Sequence, residues 1–203
     1  MLVIGVIGGI ASGKSSISRH LQTLGAQVLD ADQAAHQVLL DPEVKQAARE
    51  RWGEAVFDEH GGIDRSAVAQ RVFAADGSQE LKFWEGEIHP RVRRRLQEKL
   101  ETLRQGDCPA AVLDVPLLLE SGWDRMCDKI LFVETPLEQR LQRAAGRGWS
   151  REEYEARQSR QLDLEEKRRR ADVVMDNSGT EEQTRRRVEE VWRGWFITRK
   201  KSH

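Results

Sequence analysis

Gly8-Gly9-Ile10-Ala11-Ser12-Gly13-Lys14-Ser15 stands between the apolar run Leu2-Val3-Ile4-Gly5-Val6-Ile7 and the helix-like stretch Ser16-Ile17-Ser18-Arg19-His20-Leu21. This is the pattern G-x-x-x-x-G-K-[ST] with a strand before it and a helix after it. Gly8 and Gly13 let the chain curl without Cβ clashes. The curl turns successive N–H groups inward, and the helix start adds partial positive charge, so the loop suits phosphate oxygens. The cradle is expected to comprise Gly9, Ile10, Ala11, Ser12, Gly13, Lys14, Ser15 and Ser16, and its ligand to be a nucleoside triphosphate. Lys14 is expected to reach the β- and γ-phosphates, and the Ser15 hydroxyl to ligate Mg²⁺.

Four further segments read as strands: Gln27–Asp30, Ala110–Val115, Lys129–Glu134 and Asp172–Asp176. They are short, apolar and non-alternating, as strands buried on both faces of a parallel sheet are. Helical stretches separate most of them, which implies right-handed crossovers and a doubly wound sheet. Ligands of such sheets lie at the carboxyl ends of the strands. The stretch from about Asp41 to Gln105 is too long for a plain crossover and reads as an inserted helical substrate lobe. Its helical patterning covers Glu43–Trp52, Arg65–Phe73 and Gln79–Gln105, punctuated by the turns Glu59-His60-Gly61-Gly62 and Ala75-Asp76-Gly77-Ser78. A second helical excursion, Pro136–Arg170, is strongly basic. Most of its arginines read as a solvated face paired with Glu152, Glu153, Glu155, Glu165 and Glu166. Arg143 and Arg147 follow the strand ending at Glu134, where a lid would close on phosphates. Thr180–Trp195 reads as a final packing helix and Arg199–His203 as a frayed end.

The 203 residues suit one α/β domain with an insertion, and the net charge of -1 argues against a general nucleic-acid or membrane binder. Local arginine clusters in a near-neutral chain fit a phosphorylated small molecule better. Cys108 and Cys127 form neither a disulfide framework nor a metal site and read as thiols of a reducing compartment. The chain opens on a strand with no leader-like segment, and no apolar run approaches the roughly 20 residues that span a bilayer. A cytoplasmic protein is expected, monomeric or weakly homo-oligomeric.

Asp30 and Asp32 close the second strand at i, i+2, a spacing that points both the same way on an extended segment. One should cap the next helix, and the other can accept the proton of an attacking hydroxyl; Asp32 is the preferred base. Asp114 ends the third strand, where a Walker-B type acid would sit near Mg²⁺, although the apolar residues after it depart from that pattern. His89-Pro90 lies beside Arg91, Arg93, Arg94 and Arg95, and is read either as structural or as a substrate contact. Asn177, in Asp176-Asn177-Ser178-Gly179, is either part of a helix-capping turn or a contact to an adenine edge. That segment lacks the lysine and spacing of a guanine-reading Asn-Lys-x-Asp, which argues against a GTPase switch.

Taken in order, these landmarks, with Val115-Pro116-Leu117-Leu118-Leu119-Glu120, resemble those of the dephospho-CoA kinase family over nearly the whole chain. The resemblance implies an α/β fold: three layers, α/β/α, around a five-stranded parallel sheet of the P-loop, nucleoside-monophosphate-kinase-like kind. It implies a core of about 1–40, 106–135 and 171–203, a helical CoA-binding lobe of about 41–105, and a lid of about 136–170. The implied reaction carries the ATP γ-phosphate to the ribose 3′-hydroxyl of dephospho-CoA. It maps the base to Asp32, the phosphate-stabilising lid arginine to Arg143 and an adenine-side contact to Asn177; joined to the residue readings above, the catalytic groups are Asp32, Lys14 and Arg143, the nucleotide contacts are the cradle with Arg147 and Asn177, and the metal ligands are Ser15 and Asp114. Acceptor contacts fall at Asp32, His89, Pro116 and Leu117. Many members carry Thr just before the double glycine, where this chain has Ile7. Other small-molecule P-loop kinases, of the nucleoside monophosphate or shikimate type, share the core and lid and differ in the acceptor lobe.

Overall fold

The computed structural model describes residues 1–74 and 76–200. Ala75 of the expected turn, and residues 201–203 of the expected frayed end, lie outside the described residues. The chain forms two compact units, Met1–Leu29 with Leu103–His203, and Asp30–Thr102.

The first unit is built on a five-stranded sheet of order β2-β3-β1-β4-β5. The strands are β1 (Leu2–Gly8), β2 (Gln27–Asp30), β3 (Ala110–Asp114), β4 (Lys129–Glu134) and β5 (Val173–Asp176). β1 pairs in parallel with β3 and β4, and β4 with β5. Every residue of β1 is buried, as the unbroken apolar run requires. The edge strands β2 and β5 are only partly buried, because an edge has no neighbour on one side. Burial on both faces therefore holds for the central strands and not for all five.

Helices α1 (Lys14–Thr23) and α9 (Glu181–Lys200) carry Ile17, Leu21 and Val188 into one core with Ile4, Val6, Val112, Leu131 and Val133. Each such fully buried aliphatic side chain contributes about 1.5–3 kcal/mol. Thr180 and Gln183 cap the start of α9 reciprocally, Gln183 N–H to Thr180 Oγ1 and Thr180 N–H to Gln183 Oε1. The cap thus falls just after the Asp176–Gly179 turn. Between β4 and β5 run α6 (Leu137–Ala145), α7 (Arg151–Gln158) and α8 (Leu164–Arg169). α7 begins in a complete capping box between Ser150 and Glu153.

The second unit holds α2 (Ala31–Val38), α3 (Pro42–Trp52), α4 (Arg65–Val72) and most of α5 (Ser78–Gln105). Its core gathers Ala48, Trp52, Val56, Val68 and Val72, with Phe83 and Trp84 against Trp52 at ring-centroid distances of 5.4 and 5.2 Å. The Trp52 indole N–H donates to Glu80 at 2.6 Å, so its one polar atom is satisfied. Asp58 accepts the N–H groups of His60 and Gly62, which shapes the expected turn into a tight loop closed by a Phe57–Ile63 bridge.

Candidate active site

The loop after β1 turns on three residues with left-handed or strongly positive backbone angles: Gly8 (φ 156), Ala11 (φ 57) and Gly13 (φ 94). A Cβ on Gly13 would lie 2.3 Å from Asn177 Nδ2, and one on Gly8 would lie 2.7 Å from both Ser12 Oγ and Val133 O. Neither position can carry a side chain. Ala11 bears the strain of a conformation that L-residues avoid, and its buried contacts with Ala144 and Tyr154 hold it there.

The Ser12 carbonyl is the fulcrum of the loop. It accepts from Thr135 Oγ1 (2.8 Å), Asn177 Nδ2 (2.8 Å) and Arg143 Nη1 (3.0 Å). Asn177 Oδ1 in turn accepts from Thr184 Oγ1 at 2.7 Å, and Arg143 Nη2 donates to Asn177 O at 3.1 Å. Three side chains, from the residue after β4, from α6 and from the turn after β5, thereby fix one peptide unit. The Ile10 N–H donates to Gln158 Oε1 at 3.2 Å, so α7 also holds the loop. Lys14 and Ser15 open α1, where the first N–H groups have no carbonyl partner within the helix. The buried Ser12 Oγ has no hydrogen-bond partner.

A cavity of about 370 Å³ opens on this loop and the start of α1. Its wall carries four cationic side chains, Lys14, Arg19, Arg143 and Arg147, against one carboxylate, Glu181. Arg143 bonds to main-chain carbonyls, so its charge stays available to an anion. Lys14 Nζ donates to Gly9 O at 3.1 Å, and burial pulls its pKa down to about 8. Asp114 opposes that fall, while Lys167 and Arg147 add to it. Asp114 ends β3 beside α1 and accepts from Ser18 Oγ at 3.1 Å. The helix start, the glycine-lined curl and the surplus of cations all fit a triphosphate. Ser15 and Asp114 are hard oxygen donors of the kind Mg²⁺ takes, and Mg²⁺ on a nucleotide needs few of them.

The sequence of the dephospho-CoA kinase family (CoaE) matches residues 2–183. The chain belongs to the dephospho-CoA kinase family. It is 43% identical over 196 residues to a dephospho-CoA kinase of Symbiobacterium thermophilum, covering 95% of this chain and 81% of that one. The fold matches a crystal structure from Thermus thermophilus at TM-score 0.77 and 37% identity, covering 95% and 97% of the two chains. It matches dephospho-CoA kinase from Campylobacter jejuni at TM-score 0.70 and 25% identity, covering 95% and 96%. The chain is accordingly an ATP-using kinase with the P-loop kinase fold.

In this dephospho-CoA kinase the chain turns helical at the end of β2, earlier than the extended reading expects. Asp30 caps α2, its Oδ1 accepting the Gln33 N–H at 3.0 Å. Asp32 lies inside α2, so the two acids do not share one face of a strand. The capping requirement falls on Asp30, and Asp32 lines a cavity of the Asp30–Thr102 unit. His89 is exposed on α5, next to the buried Ile88, and Pro116 and Leu117 are exposed after β3.

Two residues escaped the sequence reading. Arg140, in the basic stretch whose arginines read mostly as a solvated face, is buried: its guanidinium donates to Thr135 O at 3.0 Å and to the Tyr154 hydroxyl. Lys167, in the run Lys167-Arg168-Arg169-Arg170, is also buried and meets Glu120 Oε1 at 3.1 Å and Gln161 Oε1 at 2.8 Å. Glu120 Oε1 further accepts the Leu162 N–H at 2.8 Å. The neighbouring arginines do follow expectation, Arg169 and Arg170 pairing with Glu166 and Arg151 with Glu155. Removing one member of a buried pair strands the other, so Lys167→Met lowers unfolding free energy by about 3 kcal/mol in urea denaturation. Adding Glu120→Leu recovers more than half of that loss. A single-variant loss below about 1 kcal/mol, the level of an exposed pair, contradicts the assignment.

Proposed function

We propose that the chain transfers the γ-phosphate of ATP to the ribose 3′-hydroxyl of dephospho-CoA, giving CoA and ADP, the last step of coenzyme A synthesis. The cation-rich cavity on the loop after β1 is the observation that carries this reading. The N–H groups at the start of α1 and the ammonium of Lys14 hold the β- and γ-phosphates. Arg143 and Lys14 oppose the charge that moves with the phosphoryl group. Arg147 and Asn177 border the nucleotide in the same cavity. Asp32 orients the acceptor hydroxyl and takes its proton. His89, Pro116 and Leu117 are assigned to acceptor contact. A Mg²⁺ ion held by Ser15 and Asp114 supplies charge neutralisation on the phosphates when bound.

The stretch of about 41–105 serves as the CoA-binding lobe and about 136–170 as the lid, which excludes water so that ATP is not simply hydrolysed. No helix among the described residues is long and apolar enough to cross a membrane, and Cys108 and Cys127 are free thiols, which supports a cytoplasmic enzyme. ATP consumption measured with and without dephospho-CoA, with CoA identified as the product, tests the proposal. ATP turnover indifferent to dephospho-CoA, or faster with a nucleoside monophosphate or shikimate, overturns it.

A further inference from the structure

The turn Gly9-Ile10-Ala11-Ser12 is closed by the Ser12 N–H, which donates to Gly9 O at 3.2 Å. Its third residue, Ala11, has φ 57, a value that turns of this kind normally give to glycine. Such strain persists only where the surroundings over-determine the backbone. Downstream, the three donors on Ser12 O supply that restraint. Upstream, α7 supplies it: the Ile10 N–H donates to Gln158 Oε1 at 3.2 Å. Gln158 is itself gripped. Arg140 Nη1 donates to the same oxygen at 3.4 Å and to the Tyr154 hydroxyl, while Arg140 Nε donates to Thr135 O at 3.0 Å. Thr135 Oγ1 completes the circuit on Ser12 O. The buried guanidinium lies so close to the turn that a Cβ on Gly9 would stand 2.6 Å from Arg140 Nη1. The loop lines the cation-rich cavity from Ala11 to Ser16, whereas the Ile10 N–H is committed to α7.

We propose that Gln158 is a positioning residue for the nucleotide: through Ile10 it keeps Ala11 at its positive φ, and so keeps the N–H groups of the loop aimed at the phosphates. The proposal rests on the reading that this loop cradles the triphosphate. Gln158 acts through the Gly9–Ile10 peptide, and Arg140 holds Gln158 in place. With that peptide free to rotate, Ala11 relaxes toward the negative φ that L-residues prefer, and the N–H groups after it lose their common direction. MgATP must then restore the strained turn as it binds, and its affinity falls by the cost of that ordering. What the site requires at position 158 is an acceptor oxygen. The acceptors that Arg140 meets, Thr135 O, the Tyr154 hydroxyl and Gln158 Oε1, are all uncharged, so a carboxylate at 158 gains a cationic partner. Gln158 also belongs to the stretch assigned to the lid, so the same bond ties the lid to the loop.

The test uses the full chain and calorimetric titration with MgATP. Gln158 is half-buried at the last turn of α7, so its replacement leaves the core of the unit intact. Gln158→Leu keeps the bulk and removes the acceptor; it raises the dissociation constant about tenfold, the scale of one stranded donor. Its thermal midpoint shifts by less than about 3 °C, because the freed N–H turns to water. Gln158→Glu keeps an acceptor oxygen and stays within about threefold of the unaltered chain. Ala11→Gly removes the strain that the bond opposes, so in that background Gln158→Leu costs less than about threefold. An unchanged dissociation constant in Gln158→Leu, with or without a loss of thermal stability, overturns the proposal, since a merely structural contact behaves in that way. An equal loss in Gln158→Glu, or an undiminished loss in the Ala11→Gly background, overturns it too, because neither the acceptor nor the strain is then the link. Failure of the broader reading is distinct from these, because the unaltered chain then takes up no MgATP.

Discussion

Lys14→Ala lowers turnover by about 10²- to 10³-fold, the loss that follows removal of a main electrostatic donor from a phosphate site. The lysine opens α1 and lies in the cavity wall with Arg143 and Arg147, so its ammonium is the charge nearest the helix start. Arg143 keeps its charge on the cavity, but its bonds to the Ser12 and Asn177 carbonyls hold it in its own place, so it does not move into that of the missing ammonium. Burial holds the Lys14 pKa near about 8. The ammonium is therefore charged below that value and lost above it. Affinity of the free enzyme for MgATP falls as pH rises from about 7 to about 9 in the unaltered chain and is flat in Lys14→Ala, as measured by calorimetric titration. Near-full turnover in Lys14→Ala, or a pH dependence that survives the substitution, shows that the phosphates are held elsewhere.

Asp32→Asn has the second large effect. It retains size and helix compatibility but cannot accept a proton, so kcat falls by about 10²- to 10⁴-fold while the dissociation constant for MgATP changes less than about threefold. Asp30→Asn is the matching control. Asp30 caps α2, and asparagine caps as well as aspartate does, so this variant keeps both its turnover and its stability. Single-turnover measurement separates the chemical step from binding. Unchanged turnover in Asp32→Asn, or a large loss in Asp30→Asn, moves the proton acceptor to another residue.

The division between these two acids illustrates what a sequence conveys. Both lie in one short segment, and the extended reading gives them a common direction. Which one caps depends on the residue at which α2 begins, and the helix starts at Ala31. The strands were legible because each is a contiguous apolar run: Lys129–Glu134 and Gln27–Asp30 fall where the pattern places them. β3 stops at Asp114 and β5 starts at Val173, each one residue inside its expected span, as element ends do.

Local spacing alone determined the phosphate loop, the strand segments and the place of Lys14, because each is written in consecutive residues whose backbone preferences suffice. Tertiary structure decided the rest. Arg140 and Lys167 carry the same charge as their solvated neighbours, and only packing against Tyr154 and Glu120 buries them. The Ser12 carbonyl is clamped by Asn177 across 165 residues, and Glu120 meets Leu162 across 42. Such pairings arise when distant segments are brought together and a buried polar group must find a partner, a condition that no short stretch of chain contains.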